Sequence, residues 1–201
     1  MSWGDLVILL LILLFVTPFA QLTAAVARRR RARSRCERER GTRVLSLVLG
    51  TDLIATYGLP VARFETLPLP VELADAIAKT PSGTPIDLLV DMPAGLSFDP
   101  QPVAAALEAH QGVATLFVPR RALTGGSLLA HAAGRVALGS GAIVGDGGQT
   151  PLTADDLRAQ GVSVEDGVPG CLAGYLGAFR EPRRSRFVLP FYLALPRDRS
   201  S

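Results

Sequence analysis

The chain has 201 residues, a net charge of +3 and 48% hydrophobic residues, enough for one N-terminal segment followed by one domain of ordinary core size. Its basic excess is local: nine arginines between Arg28 and Arg43 face only Glu37 and Glu39, while residues 44–201 carry a net charge of −3. That distribution excludes a nucleic-acid-binding domain, which spreads lysine and arginine over its folded surface.

In chain order, the first feature is Leu6 to Ala27, an uncharged stretch of 22 residues. As a helix it reaches about 33 Å, against a hydrocarbon core of about 30 Å. A cleaved leader wants positive charge before a shorter apolar run. Here Asp5 precedes the run and Arg28, Arg29, Arg30, Arg31, Arg33 and Arg35 follow it. The reading is a single-pass anchor, in which Pro18 is free to introduce a kink, with the C-terminal side held in the cytoplasm by the positive-inside rule. The expected lipid partners are acyl chains along Leu6–Ala27 and anionic headgroups along Arg28–Arg35. The expected divisions are an anchor at 1–27, a basic stalk at 28–41, an α/β core at 42–149 and a helical and extended tail at 150–201.

Gly41 closes the stalk, and Arg43 to Gly50 reads as a buried strand. Thr51 to Pro70, with Pro60, Pro68 and Pro70, reads as irregular. Val71 to Lys79 is a short helix, Ile86 to Asp91 a second buried strand, and Asp99-Pro100 a helix start. That helix ends near His110 and Gly112. Ala114 to Val118 is a third strand, Gly125 to Ala133 a compact helix, and short strands follow at Val136 and Ile143. Thr153 caps a helix stopped by Gly161. Apolar strands alternating with helices predict a mostly parallel sheet, flanked by helices. The two cysteines, Cys36 and Cys171, make neither a metal spacing nor an evident disulfide framework, so the simple reading is a reduced compartment. No metal ligand set or cofactor motif is legible. Gly139-Ser140-Gly141 with Gly145 misses a dinucleotide turn by one residue of spacing.

Ligands of open α/β sheets bind beyond the C-terminal strand ends. Two segments stand there: Asp91-Met92-Pro93-Ala94-Gly95, and Arg120 to Ser127, which opens a helix. A hydroxyl among glycines at a helix N-terminus favours a developing oxyanion. TRVLSLVLG (42–50), TPIDLLVDMPAGL (84–96), VATLFVPRRALTGGSLLAHAAGRVAL (113–138) and GAIVGDGGQ (141–149) together resemble the serine dehydrogenase proteinase family, of ClpP/crotonase-like fold and related to signal peptide peptidases. The ERERGTRV junction (37–44) and LTADDLRAQGVSVEDGVP (152–169) also fit.

The resemblance implies an oxyanion hole from the N–H groups of Gly95 and Gly125, set by turns that include Pro93, Ala94 and Gly126. It also puts the family's nucleophilic serine on Thr124, a glycine on Ala94, two common histidines on Asp91 and Arg120, and a long helical insert where only Gln149-Thr150 stand. The implied function is a degenerate, weakly active or non-catalytic peptidase homologue acting in a homo-oligomer or beside an active relative.

Two other readings stay open: an active peptidase using Thr124 or Ser127 on a peptide substrate, and a crotonase-like binder of acyl thioesters. Against catalysis, an internal threonine lacks the N-terminal amine that usually activates one. Thr124 also reads as a helix N-cap. His131, four residues after Ser127, lacks an evident orienting carboxylate. His110 fits a helix end, where a cation is favourable. Lys79 falls at the wrong edge of the sheet. Arg120 and Arg121 either bind an anion near the turn or solvate a loop, and surface arginines being the norm favours solvation. An ionisable side chain within bonding distance of either hydroxyl at the mouth of the 124–127 turn would overturn the inert reading.

Overall fold

In this computed structural model the described residues are 3–48, 50–56, 59–66, 69–95, 97–146 and 150–179; within them, side chains 9–11, 13–19, 21–22 and 50–66 lie outside the description. Helix α1 runs unbroken from Trp3–Arg40, through Pro18. Gly41, in the left-handed region at φ 64°, ends it. Next come β1 (Arg43–Val48), β2 (Gly50–Thr56) and β3 (Leu59–Thr66), α2 (Pro70–Ala78), β4 (Ile86–Asp91) and α3 (Gln101–Ala109). Then follow β5 (Ala114–Val118), β6 (Arg121–Ala122), α4 (Gly126–Ala133), β7 (Gly134–Leu138), β8 (Ile143–Val144), α5 (Ala154–Ala159), β9 (Ser163–Asp166) and α6 (Gly170–Gly177).

The main sheet has the order β1-β4-β5-β7-β9, every neighbouring pair parallel. Strand order therefore follows chain order, and with right-handed crossovers the connecting helices stack on one face. Alternation along each strand sorts the residues. Leu45, Leu47, Leu88, Val90, Leu116, Val118 and Val136 meet Leu73 and Ile77 of α2, Val103 and Leu107 of α3, and Leu129 of α4. Val44, Val48, Leu89, Phe117 and Ala137 point the other way, onto Cys36 of α1 and Leu172, Tyr175 and Leu176 of α6. The result is three layers, with the C-terminal part of α1 and α6 forming the third. Strand β9 is the fifth strand of the same sheet, so residues 150–179 share these layers.

Two expectations are corrected. Thr51–Pro70 is largely an antiparallel hairpin: β2 pairs with β3, with a register shift at Ile54/Ala55, where Ala55 pairs with Pro60. A two-stranded ribbon at a bulge accommodates a proline that an inner strand would not. Cys36 and Cys171, 135 residues apart, form a disulfide with their Cα atoms 5.2 Å apart. Only the return of the chain as α6 beneath the sheet brings them together, so spacing held no trace of it.

Buried charge is matched at the lower edge. Asp87, 2% exposed, is gripped by the Arg40 guanidinium, with a second contact from Nη2 at 3.5 Å, and by the Thr42 hydroxyl at 2.7 Å. Arg40 also lies 5.1 Å from the centre of the Phe117 ring. Burial pushes the Tyr175 phenol above its ordinary range, partly offset by the Ser46 hydroxyl 3.0 Å away.

Helix α5 opens on a capping box in which the Thr153 hydroxyl and the Asp156 carboxylate exchange bonds with each other's backbone N–H. Bonds from the Thr153 backbone N–H and hydroxyl hold Asp156 below the usual carboxylate range. Thr153→Ala is expected to lower stability by about 1 kcal/mol in a urea titration at neutral pH. Because the folded value is depressed, the Asp156 part of the box is present above the unfolded carboxylate value and fades as pH falls through the folded one. The difference between parent and variant should therefore shrink in acid.

Among the described residues no helix is long and apolar enough to cross a membrane. Most of the apolar stretch of α1 consists of the side chains outside the description.

Candidate functional site

Three segments meet beyond the C-terminal ends of β4, β5 and β7. Met92 N–H donates to the Arg121 carbonyl at 2.9 Å, and Leu123 N–H returns to Met92 at 3.0 Å. Gly145 N–H donates to Ala122 at 2.9 Å, and Gly126 N–H to Gly145 at 3.1 Å. The small parallel pair β6–β8 is part of this lacing. It holds the 93–95 turn, the 124–127 turn and the 145–146 segment in fixed register, so the candidate residues of the two turns are neighbours in space.

The 124 position is a tether. Thr124 is 9% exposed, and its hydroxyl donates to the Pro93 carbonyl at 2.8 Å. It does not cap α4: the residue before that helix is Gly125, in the left-handed region at φ 68°, with no side-chain cap. Gly125 is obligatory for a second reason, since a Cβ there would stand 2.5 Å from the Pro100 ring. Gly125 is buried beneath that ring, whereas Ala94 and Gly95 are exposed, with Gly95 at φ 80°. Of the two amides the resemblance implies for an oxyanion, one thus stands on an open turn and the other under a proline.

Ser127, in the first turn of α4, donates its hydroxyl to the Asp146 carboxylate. This is the ionisable contact that overturns a fully inert reading of the site. Nothing in the spacing signals it, because Asp146 arrives from the loop after β8 in a Gly-rich run. Among the described residues its Oδ1 has no hydrogen-bond partner, although it is buried. Ser127 and Thr124 use different neighbours, one the 145–146 segment and the other the 93–95 turn. His131 is exposed, and its Nε2 lies 2.9 Å from Gln160 Oε1. Among the described residues the structure gives no hydrogen bond between His131 and Ser127.

The reading of Arg120 as loop solvation is corrected. Its Nε donates at 2.9 Å to Oδ2 of Asp91, joined by Nη2, and Asp91 is 3% exposed. A buried carboxylate demands such a partner. Asp91 Oδ1 has none. His110 Nε2 lies 2.9 Å from the Thr84 carbonyl. Lys79 pairs with Asp75 at 2.5 Å on a cleft of about 520 Å³, lined also by Arg43, Glu72 and Thr84. Arg43 opens β1 and Thr84 precedes β4, so this cleft lies at the opposite edge from the turns and has no share in them. Among the described residues no cluster of His, Cys, Asp and Glu is arranged to hold a metal ion.

Residues 2–149 match the family of ClpP-like SDH-type serine proteinases. The chain belongs to that family. Its mostly parallel sheet flanked by helices is the fold expected of a ClpP-like member. It is 34% identical over 137 residues to an uncharacterized protein of Methanocaldococcus jannaschii, covering 68% of this chain and 47% of that one. A second uncharacterized protein of the same organism is 33% identical over 107 residues, covering 53% and 37%. The chain thus spans about half the length of the first relative and just over a third of the second. No solved structure matches it. Within the family, this member carries threonine, tethered to a main-chain carbonyl, where the resemblance places the nucleophile. An ion pair stands where it places two histidines.

Proposed function

We propose that this chain is a membrane-anchored, cytoplasm-facing member of the ClpP-like SDH-type proteinases that does not hydrolyse peptides through position 124. In this reading it acts in a homo-oligomer or beside an active relative. One observation carries the reading: the Thr124 hydroxyl already gives its proton to the Pro93 carbonyl, at a buried β-branched carbon. A main-chain carbonyl is no general base, so nothing there generates an alkoxide. The buried Gly125 supports it further. Anchoring rests on the uncharged Leu6–Ala27 stretch within the 38 residues of α1, and sidedness on the arginine tract. A disulfide is more usual outside the cytoplasm; the arginine tract acts earlier, during insertion.

Ser127 and Asp146 favour a second reading, a hydrolase with Ser127 as nucleophile and Asp146 as base. A carboxylate is a weak base toward serine near neutral pH, and no histidine or lysine stands between them. Labelling of the full chain in detergent with a fluorophosphonate separates the two. The first reading expects no label on folded protein. Label lost in Ser127→Ala and Asp146→Asn but kept in Thr124→Ala would establish the second, and label lost in Thr124→Ala would overturn the first at its root.

A further inference from the structure

The height of the candidate site above the anchor is fixed by the fold. Helix α1 turns at Gly41-Thr42 straight into β1 and runs antiparallel to it across the α6 face of the sheet. Contacts at three heights clamp it there. At the lower edge Arg40 holds Asp87, and the Glu37 carboxylate accepts from Val44 N–H at 3.2 Å. One turn up, Cys36 is bonded to Cys171. Two turns higher, Arg29 lies 4.7 Å from the centre of the Phe179 ring, its Nε 3.4 Å from the Ala178 carbonyl.

The rise along β1 gives the level of the sheet's upper edge. Val44 stands beside Glu37, and Val48 is four residues further on, about 13 Å at strand rise. That equals about nine helical residues, which leads back from Glu37 to Arg28. Val48 is the register partner of Asp91, and the 93–95 turn, bonded to Thr124, lies just beyond. Helix α6 is in step with this ladder: between Cys171, bonded to Cys36, and Ala178, beside Arg29, its Tyr175 hydroxyl lies 3.0 Å from Ser46 at mid-strand. The candidate site therefore stands level with Arg28 and Arg29, the first charges after the apolar stretch.

We infer that the 93–95 and 124–127 turns open onto the membrane surface and receive the first residues that another membrane-embedded polypeptide exposes outside the bilayer. The inference rests on the anchored reading above. A continuous helix clamped at three heights offers no hinge, so the site reaches neither deep into the bilayer nor far from it. A neutral main chain suits the turns better than a phosphate headgroup. Pro93, Ala94, Gly95, Thr124, Gly125 and Gly126 carry no charge, Arg120 is committed to Asp91, and Ser127 is bonded to the Asp146 side chain. Arg121 is exposed on β6, outside the turns.

The test uses the full chain in vesicles of phosphatidylcholine and phosphatidylglycerol, with its disulfide intact. A bimane label is placed on Ala94→Cys in one sample and on Lys79→Cys, at the opposite edge, in another. Nitroxide on the lipid headgroup should quench the label at 94 several-fold more than the label at 79; equal quenching overturns the inference. Carbonate washing reads the anchor separately: protein that washes off defeats the anchored reading, whereas protein that stays with equal quenching defeats only the orientation. A benzoylphenylalanine at position 94 should then crosslink to a co-reconstituted single-span peptide within its first residues outside the bilayer. Adducts to lipid alone, or no peptide adduct, overturn the polypeptide assignment.

Discussion

Cys36→Ala is expected to lower the unfolding free energy of the full chain by about 2–5 kcal/mol, the range for losing a native disulfide from a small domain. The size follows from the loop. The bond joins residues 135 apart in sequence, and chain-entropy arithmetic for a loop of that length gives about 5 kcal/mol. Part of the effect acts on the unfolded state, which the crosslink confines. The rest is loss of packing beneath the sheet, since Cys36 is fully buried among Val44, Val48 and Leu172. Urea titration in detergent, followed by far-ultraviolet circular dichroism, measures it. Dithiothreitol should bring the parent close to the variant and leave the variant unmoved. A parent indifferent to reductant would mean that the bond contributes nothing to holding α1 against α6.

Arg40→Met comes next, with an expected loss of about 3 kcal/mol, because breaking a buried pair leaves its partner uncompensated. Asp87 is inside the sheet and would keep only the Thr42 hydroxyl at 2.7 Å. Methionine retains apolar bulk over the Phe117 ring, so the loss reports charge more than volume. Arg40→Lys should recover part of it, since an ammonium cannot reproduce the guanidinium fork. The decisive control is Asp87→Leu combined with Arg40→Met. Replacing both charges by apolar groups should cost much less than removing the arginine alone. Equal losses in the single and double variants would show that the pair is not coupled.

The sheet was legible because its strands advertise themselves: RVLSLV, IDLLVD and ATLFV are short apolar runs bounded by glycine and proline, and only burial on both faces suits them. The helix ends were legible for equally local reasons. Asp99 accepts from Gln101 N–H at 3.1 Å, Thr153 caps α5, and Gly41, Gly134 and Gly161 take the left-handed conformation where helices stop. The hairpin of β2 and β3 was not legible, since Pro60 argues against a strand and only pairing across a bulge reconciles it. At the candidate site, sequence placed Pro93 to Gly95 and Thr124 to Ser127 at the correct strand ends. It misread how they are bonded: Thr124 holds Pro93 instead of capping α4, and Arg120 holds Asp91 instead of solvating a loop.

The sequence by itself determined the fold class, the family and the residues at the two turns, because each of these is written in local patterns of apolarity, turn chemistry and ordered motifs. The tertiary structure alone decided which groups meet: Cys36 with Cys171, Arg40 with Asp87, Asp91 with Arg120, and Ser127 with Asp146. These partners are 19 to 135 residues apart in the chain. Pairing at such separations is set by how strands stack and helices return over the sheet, and no local spacing encodes it.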